Sequence, residues 1–118
     1  MQPVTIYHNP RCSKSRETLK LVEELGIEPT IIHYLETPPT VEQLAVLLKQ
    51  LGFNDARQLM RTKEERYQEL NLDDATLSQE ALLQAMANNP KLIERPIVVV
   101  ADKARLGRPP EHIKEILF

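Results

Sequence analysis

Val4-Thr5-Ile6-Tyr7, then His8-Asn9-Pro10-Arg11, then Cys12-Ser13-Lys14-Ser15-Arg16: within this one stretch the chain changes from a strand pattern to a helix pattern. The first four residues are β-branched or aromatic and read as a short buried strand. His8-Asn9-Pro10 breaks it. From Ser13 onward Leu19, Val22 and the pair Leu21 and Leu25 recur at helical spacing, and Gly26 stands where a C-terminal cap belongs. Cys12 therefore falls at the junction of loop and helix. Thr30-Ile31-Ile32-His33-Tyr34 is the next strand candidate, and a strand after so short a helix lies most economically parallel to the first. The chain opens with a βαβ unit.

Working outward, the middle of the chain is helical. Thr40 and Gln43 form a capping box ahead of Val41, Leu44, Leu48 and Leu51, and Gly52 closes that stripe. Thr62 and Glu65 repeat the capping signature before Tyr67 and Leu70. Ser78 is placed to cap a helix carrying Leu82, Leu83 and Met86, which Pro90 ends. After Pro96, Ile97-Val98-Val99-Val100 is apolar enough for a strand buried on both faces. Asp102-Lys103 offers a turn into Ala104-Arg105-Leu106, and a last helix starts near Pro110 and buries Ile113, Ile116 and Leu117. The order βαβ, helices, ββα resembles a thioredoxin-like α/β fold of three layers, with a helical insertion between the second and third strands. Residues 1–118 are expected to form a single domain.

Composition narrows the function. The 118 residues are 42% hydrophobic and 27% charged, the ordinary balance of a globular domain. A net charge of -2 gives no overall field for nucleic acid or anionic lipid, so any anion site must be a local arginine cluster. No apolar run reaches the roughly 18 to 20 residues needed to span a bilayer, and no basic segment followed by an apolar stretch opens the chain. A cytoplasmic protein with no membrane or nucleic-acid partner is expected. The chain has one cysteine, so neither an internal disulfide nor a multi-cysteine zinc site can form. If Cys12 is redox-active, its partner thiol belongs to another molecule.

A lone cysteine is more often a small core hydrophobe than a reagent. The neighbours of Cys12 reverse that reading. A helix N-terminus presents unpaired N–H groups and the positive end of the helix dipole, which favour a thiolate and can also hold an anionic substrate. Arg11, Lys14 and Arg16 add positive charge nearby. His8, across the Asn-Pro turn, either lowers the thiol pKa or accepts its proton, or is simply a capping or surface histidine. Ser15 either donates to the thiolate or satisfies the first turn. His33 and His112 lack such company and read as structural or solvent-facing.

The segment from Ile6 through Arg16 resembles the active-site loop of the glutaredoxin-coupled arsenate reductase family. Glu28-Pro29-Thr30 onward through Tyr34-Leu35-Glu36, Leu59-Met60-Arg61, Arg95-Pro96-Ile97-Val98-Val99 and Ala104-Arg105-Leu106-Gly107-Arg108-Pro109 match it in order, so the resemblance spans nearly the whole chain. It implies that Cys12 is the nucleophile, helped by His8 and Ser15, and that Arg61, Arg95 and Arg108 bind arsenate or a similar oxyanion. It also implies a cis Arg95-Pro96 bond beside Cys12. The implied reaction begins with attack of the Cys12 thiolate on arsenic. Glutathione is the co-substrate, glutaredoxin the protein partner, and no cofactor is bound. Guanidinium forks suit tetrahedral oxyanions better than ammonium groups do. The chain is expected to lack the C-terminal extension of some family members.

Three other functions compete. Reduction of an oxyanion other than arsenate would use the same site. A glutathione-dependent thiol transferase would need Cys12 but not the three arginines. A non-enzymatic regulator that binds RNA polymerase senses oxidants through a Cys-x-x-Cys switch, and Ser15 occupies the second cysteine position here.

Overall fold

A computed structural model of the protein describes residues 3–117. Its strands and helices are β1 (Val4–Tyr7), α1 (Ser13–Glu24), β2 (Thr30–Ile32), α2 (Val41–Leu51), α3 (Glu65–Glu69), α4 (Gln79–Asn88), β3 (Ile97–Val100), β4 (Lys103–Leu106) and α5 (Lys114–Leu117). Short 3₁₀ turns occupy Ala56–Leu59, Pro90–Leu92 and Pro110–Ile113. The contacts divide the chain into two compact units. One joins the chain up to Thr37 with the chain from Arg95 onward, and the other is Pro38–Glu94.

In the first unit the strands form one sheet in the order β2-β1-β3-β4. β1 runs parallel to β2 and antiparallel to β3, and β3 and β4 make an antiparallel hairpin. Because side chains alternate along a strand, the pairings Val4 with Val100 and Ile6 with Val98 put all four on one face. Val22 of α1, Ile27 and the C-terminal Ile113 and Ile116 pack on that face as a single apolar cluster. Each such side chain, fully buried, contributes about 1.5 to 3 kcal/mol. α1 ends as its sequence indicates: Gly26 takes φ 80, its N–H donates to Glu23 O, and the Ile27 N–H reaches back to Val22 O.

The second unit is the insertion expected between the second and third strands. Thr40 and Gln43 close their capping box on α2, Gly52 ends that helix at φ 77, and Ser78 caps α4 through the Ala81 N–H. α2 packs on α4. A second capping box, Asp55 with Gln58, opens the 3₁₀ turn at Ala56 and has no counterpart in the sequence reading.

Four boundaries differ from the sequence reading. The second strand stops at Ile32 because the N–H groups of Glu36 and Thr37 fold back onto His33 O. The Thr62–Glu65 capping box does not form. The Arg61 N–H is tied to Leu92 O, a turn from Arg61 O to the Glu64 N–H follows, and α3 starts only after Glu64. The hairpin turns at Ala101-Asp102, with Ala101 at φ 55, and Lys103 is already in β4. The last helix begins as the 3₁₀ turn Pro110–Ile113 before continuing as α5. No helix of the described residues is long and apolar enough to cross a membrane.

Gly107 sets how closely α1 approaches the β3–β4 hairpin. Its N–H donates to Pro96 O at 3.0 Å, and a Cβ there would collide with Thr18 Oγ1 and lie 2.8 Å from Pro96 Cγ. Thr18 is fully buried on α1, so it has no room to withdraw. Gly107→Ala should therefore destabilise the protein by about 1 to 3 kcal/mol, the usual range for overpacking. Urea unfolding of Gly107→Ala, Thr18→Ala and the double variant is expected to give a double-variant loss smaller than the sum, because Thr18→Ala removes the Thr18 atoms that the new Cβ meets and leaves only Pro96 Cγ.

Candidate active site

The loop between β1 and α1 is held by its own polar atoms. Asn9 O accepts the Cys12 N–H at 3.0 Å, and Asn9 Oδ1 accepts the Arg11 N–H at 3.0 Å. Arg16 Nη1 donates to Pro10 O at 2.9 Å and clamps the loop onto the first turn of the helix. Cys12 sits at the N-cap with extended backbone angles, φ -94 and ψ 125, and is buried. Ser15, one turn on, is completely buried.

Burial by itself pushes the Cys12 thiol up. The Ser15 N–H, the charge of Arg95, the Lys14 N–H and a hydrogen bond from the Arg95 side chain oppose it, and the net pKa is lowered. The cysteine side chain makes no capping hydrogen bond of ordinary geometry to the first turn. These donors act on the anion, the state in which a thiol is a nucleophile.

The hydroxyl of Ser15 is engaged elsewhere. Ser15 Oγ lies 2.6 Å from His8 Nδ1 and accepts the Asn9 N–H at 3.0 Å. Burial, then His33, then Arg16 lower the His8 pKa, which favours the uncharged ring. An uncharged Nδ1 without a proton accepts the Ser15 O–H, so the His8 proton belongs on Nε2. The series Asn9 N–H to Ser15 O–H to His8 Nδ1 links the end of β1, the loop and the first turn of α1.

Arg95 and Arg108 both belong to the first unit. Arg95 is half-buried and its guanidinium is directed at the Cys12 sulfur. Arg108 is exposed, and its Nη1 donates to Arg95 O at 3.4 Å. The Arg95-Pro96 and Arg108-Pro109 bonds are both cis, the first as the sequence resemblance implies. Arg61 belongs to the second unit, where its Nη1 pairs with Glu64 Oε1 at 3.1 Å. Among the described residues no group of three or more His, Cys, Asp or Glu side chains is placed to hold a metal ion.

With that geometry in view, comparison with known proteins is informative. The profile of the ArsC family matches residues 7–116. The chain belongs to the ArsC family. A protein of Escherichia coli (strain K12) called YfgD is 64% identical over 114 residues, which is 97% of this chain and 96% of that one. A Haemophilus influenzae protein named arsenate reductase is 55% identical over 114 residues, covering 97% of this chain and 98% of that one. A solved structure described as arsenate reductase from Vibrio cholerae aligns with a TM-score of 0.97 at 62% identity, covering 98% of each chain. The ArsC-family fold is the thioredoxin-like one indicated by the order of elements.

Within this ArsC-family chain some site residues stand where the sequence reading put them and others have different partners. Ser15 supplies the sulfur with its backbone N–H while its hydroxyl goes to His8. Among the described residues, the side chains of Arg11, Lys14 and Arg16 do not figure among the causes of the lowered thiol pKa, and neither does His8. Lys14 pairs with Glu17 at 3.6 Å, and Arg16 is taken by Pro10 O. His33 was expected to stand without company, yet its ring lies edge-on to His8 with centroids 6.0 Å apart. The signal for that was the parallel register: Tyr7 pairs with Ile32, and the His8 N–H donates to Ile32 O at 2.9 Å, so the two next residues are neighbours.

A lowered thiol pKa means that the thiolate persists to a lower pH than in a free cysteine. The rate of Cys12 alkylation by iodoacetamide, followed against pH, should show a midpoint below the roughly 8.5 of a free thiol. Arg95→Gln removes a cation that favours the anion, so its midpoint should rise towards that value.

Proposed function

We propose that this protein is an arsenate reductase in which the Cys12 thiolate attacks arsenic, with glutathione and glutaredoxin supplying the reducing equivalents. The observation that carries the reading is the Arg95 guanidinium and the first-turn N–H groups of α1 gathered around the Cys12 sulfur. A thiolate by itself repels an oxyanion, and fixed cationic and N–H donors offset that repulsion and hold the substrate oxygens. Relatives that align over nearly the whole chain are named arsenate reductase.

The chemistry balances with one protein thiol. The Cys12 sulfur displaces an oxygen of arsenate, which leaves as water, and a sulfur–arsenic(V) bond forms. Glutathione supplies the second thiol. Two electrons pass from the two sulfurs to arsenic, arsenite leaves, and Cys12 is left in a disulfide with glutathione. Glutaredoxin takes the glutathione by thiol–disulfide exchange and restores the Cys12 thiol. Since the chain has no second cysteine, both reducing equivalents must come from outside. That electron source places the reaction in the reducing cytoplasm.

In this reading Cys12 is the nucleophile, and His8 and Ser15 hold its loop. Arg95 serves the thiolate and the incoming oxyanion together. The assignment of Arg61 and Arg108 to substrate oxygens rests on the family resemblance.

Arsenate-dependent NADPH oxidation, coupled through glutathione, glutaredoxin and glutathione reductase, tests the proposal. Activity should disappear in Cys12→Ser. Arg95→Lys keeps a charge but loses the planar fork and should reduce kcat/KM by the equivalent of about 1 to 3 kcal/mol. If Arg61→Lys, Arg95→Lys and Arg108→Lys all retain wild-type arsenate kinetics, the oxyanion assignment fails and glutathione-dependent thiol transfer replaces it.

A further inference from the structure

His33 is a histidine that the chemistry described so far does not use. It follows the last residue of β2, is exposed, and presents its ring edge-on to buried His8 at a centroid distance of 6.0 Å and an interplanar angle of 64°. His8 Nδ1 in turn lies 2.6 Å from the hydroxyl of Ser15, the residue whose backbone N–H serves the Cys12 sulfur. The Asn9 N–H already donates to that hydroxyl oxygen, so the single Ser15 hydroxyl proton is directed at His8. In this direction the bond needs an Nδ1 without a proton. A proton on Nδ1 would reverse it and leave the buried Ser15 hydroxyl proton without that acceptor.

We propose that His33 is a positioning residue for the Cys12 loop: its ring, set edge-on against His8, disfavours a proton on that imidazole and so preserves its Nδ1 as the acceptor for the Ser15 hydroxyl. Histidine is the side chain whose charge ordinarily changes between pH 5 and 8. A positive charge on the His33 ring opposes a proton on His8. Among the described residues the charged or titratable groups acting on His8 are His33 and Arg16 of α1. Arg16 is cationic throughout this range, and burial acts in the same direction as both. The Cys12 loop thereby keeps its geometry to a lower pH than it would without His33.

The inference builds on Cys12 as the reacting thiol, but its test needs no arsenate. The imidazole signals of His8 are followed by NMR against pH in the wild type, His33→Gln and His33→Lys, and the Cys12 alkylation rate is measured over the same range. His33 is exposed, so neither variant removes core packing. The expected result is an upward shift of the His8 midpoint in His33→Gln, with the low midpoint restored in His33→Lys. Cys12 alkylation should be slower than wild type in His33→Gln at pH 5.5 to 6 and equal to it at pH 8. A His8 midpoint that stays put or falls in His33→Gln overturns the proposal, as does failure of the lysine to restore it. Faster alkylation of His33→Gln at acid pH would also overturn it, because a charged His8 would then be serving the thiolate directly.

Discussion

A thiolate buried at the start of a helix loses water, and it persists only if fixed donors replace that water. In this protein the replacement comes from the Ser15 and Lys14 N–H groups and the Arg95 guanidinium, set against a burial term that alone would keep the proton on sulfur. Much else in the first unit can be understood as holding those donors in place. The Asn9 carbonyl receives the Cys12 N–H, Arg16 grips Pro10 O, and the Ser15 hydroxyl is held between Asn9 and His8. The Ser15 side chain thus has a mechanical part while its backbone has an electrostatic one.

The sheet supplies the remaining constraint. Arg95 stands just ahead of β3, and β3 is paired along its length with β1, from which the cysteine loop departs. The separation between that loop and Arg95 is therefore set by β1–β3 pairing and by the apolar cluster that seats α1 on the sheet. Gly107 completes the fit at the open end of the hairpin, beside Pro96, where any side chain would press on Thr18 and Pro96. Packing next to Arg95 thus acts on the chemistry of the sulfur, because a guanidinium that retreats loses its hold on the anion.

The sequence was most legible where local rules and tertiary packing agree. Thr40 and Gln43, Ser78, Gly26 and Gly52 did what capping chemistry requires of them, and Val4–Tyr7 and Ile97–Val100 formed strands because no other structure suits such runs. Thr62 and Glu65 carried an equally good local signal, but the Arg61–Leu92 hydrogen bond occupies the chain just before them. That Cys12 opens a helix was legible from its neighbours. The partners of those neighbours were not. Basic residues adjacent in sequence, Arg11, Lys14 and Arg16, suggested a charged nest, whereas a helix turns such side chains to different sides and a residue from the other end of the chain, Arg95, serves the sulfur. His33 illustrates the same point, since its proximity to His8 follows from strand register and from no motif.

The first unit is discontinuous in sequence, with Pro38–Glu94 lying between its two parts. On the ribosome, Cys12 emerges before β3, β4 and Arg95, which follow only after that whole middle segment has been made. Until then β1 lacks its antiparallel neighbour and the sulfur lacks its cation, so the nascent thiol keeps a higher pKa than the finished one. Because so much of the contact that defines the site is long in sequence, its formation belongs among the slow, late events of folding. Cys12 is synthesised well before the arginine that sets its sulfur apart.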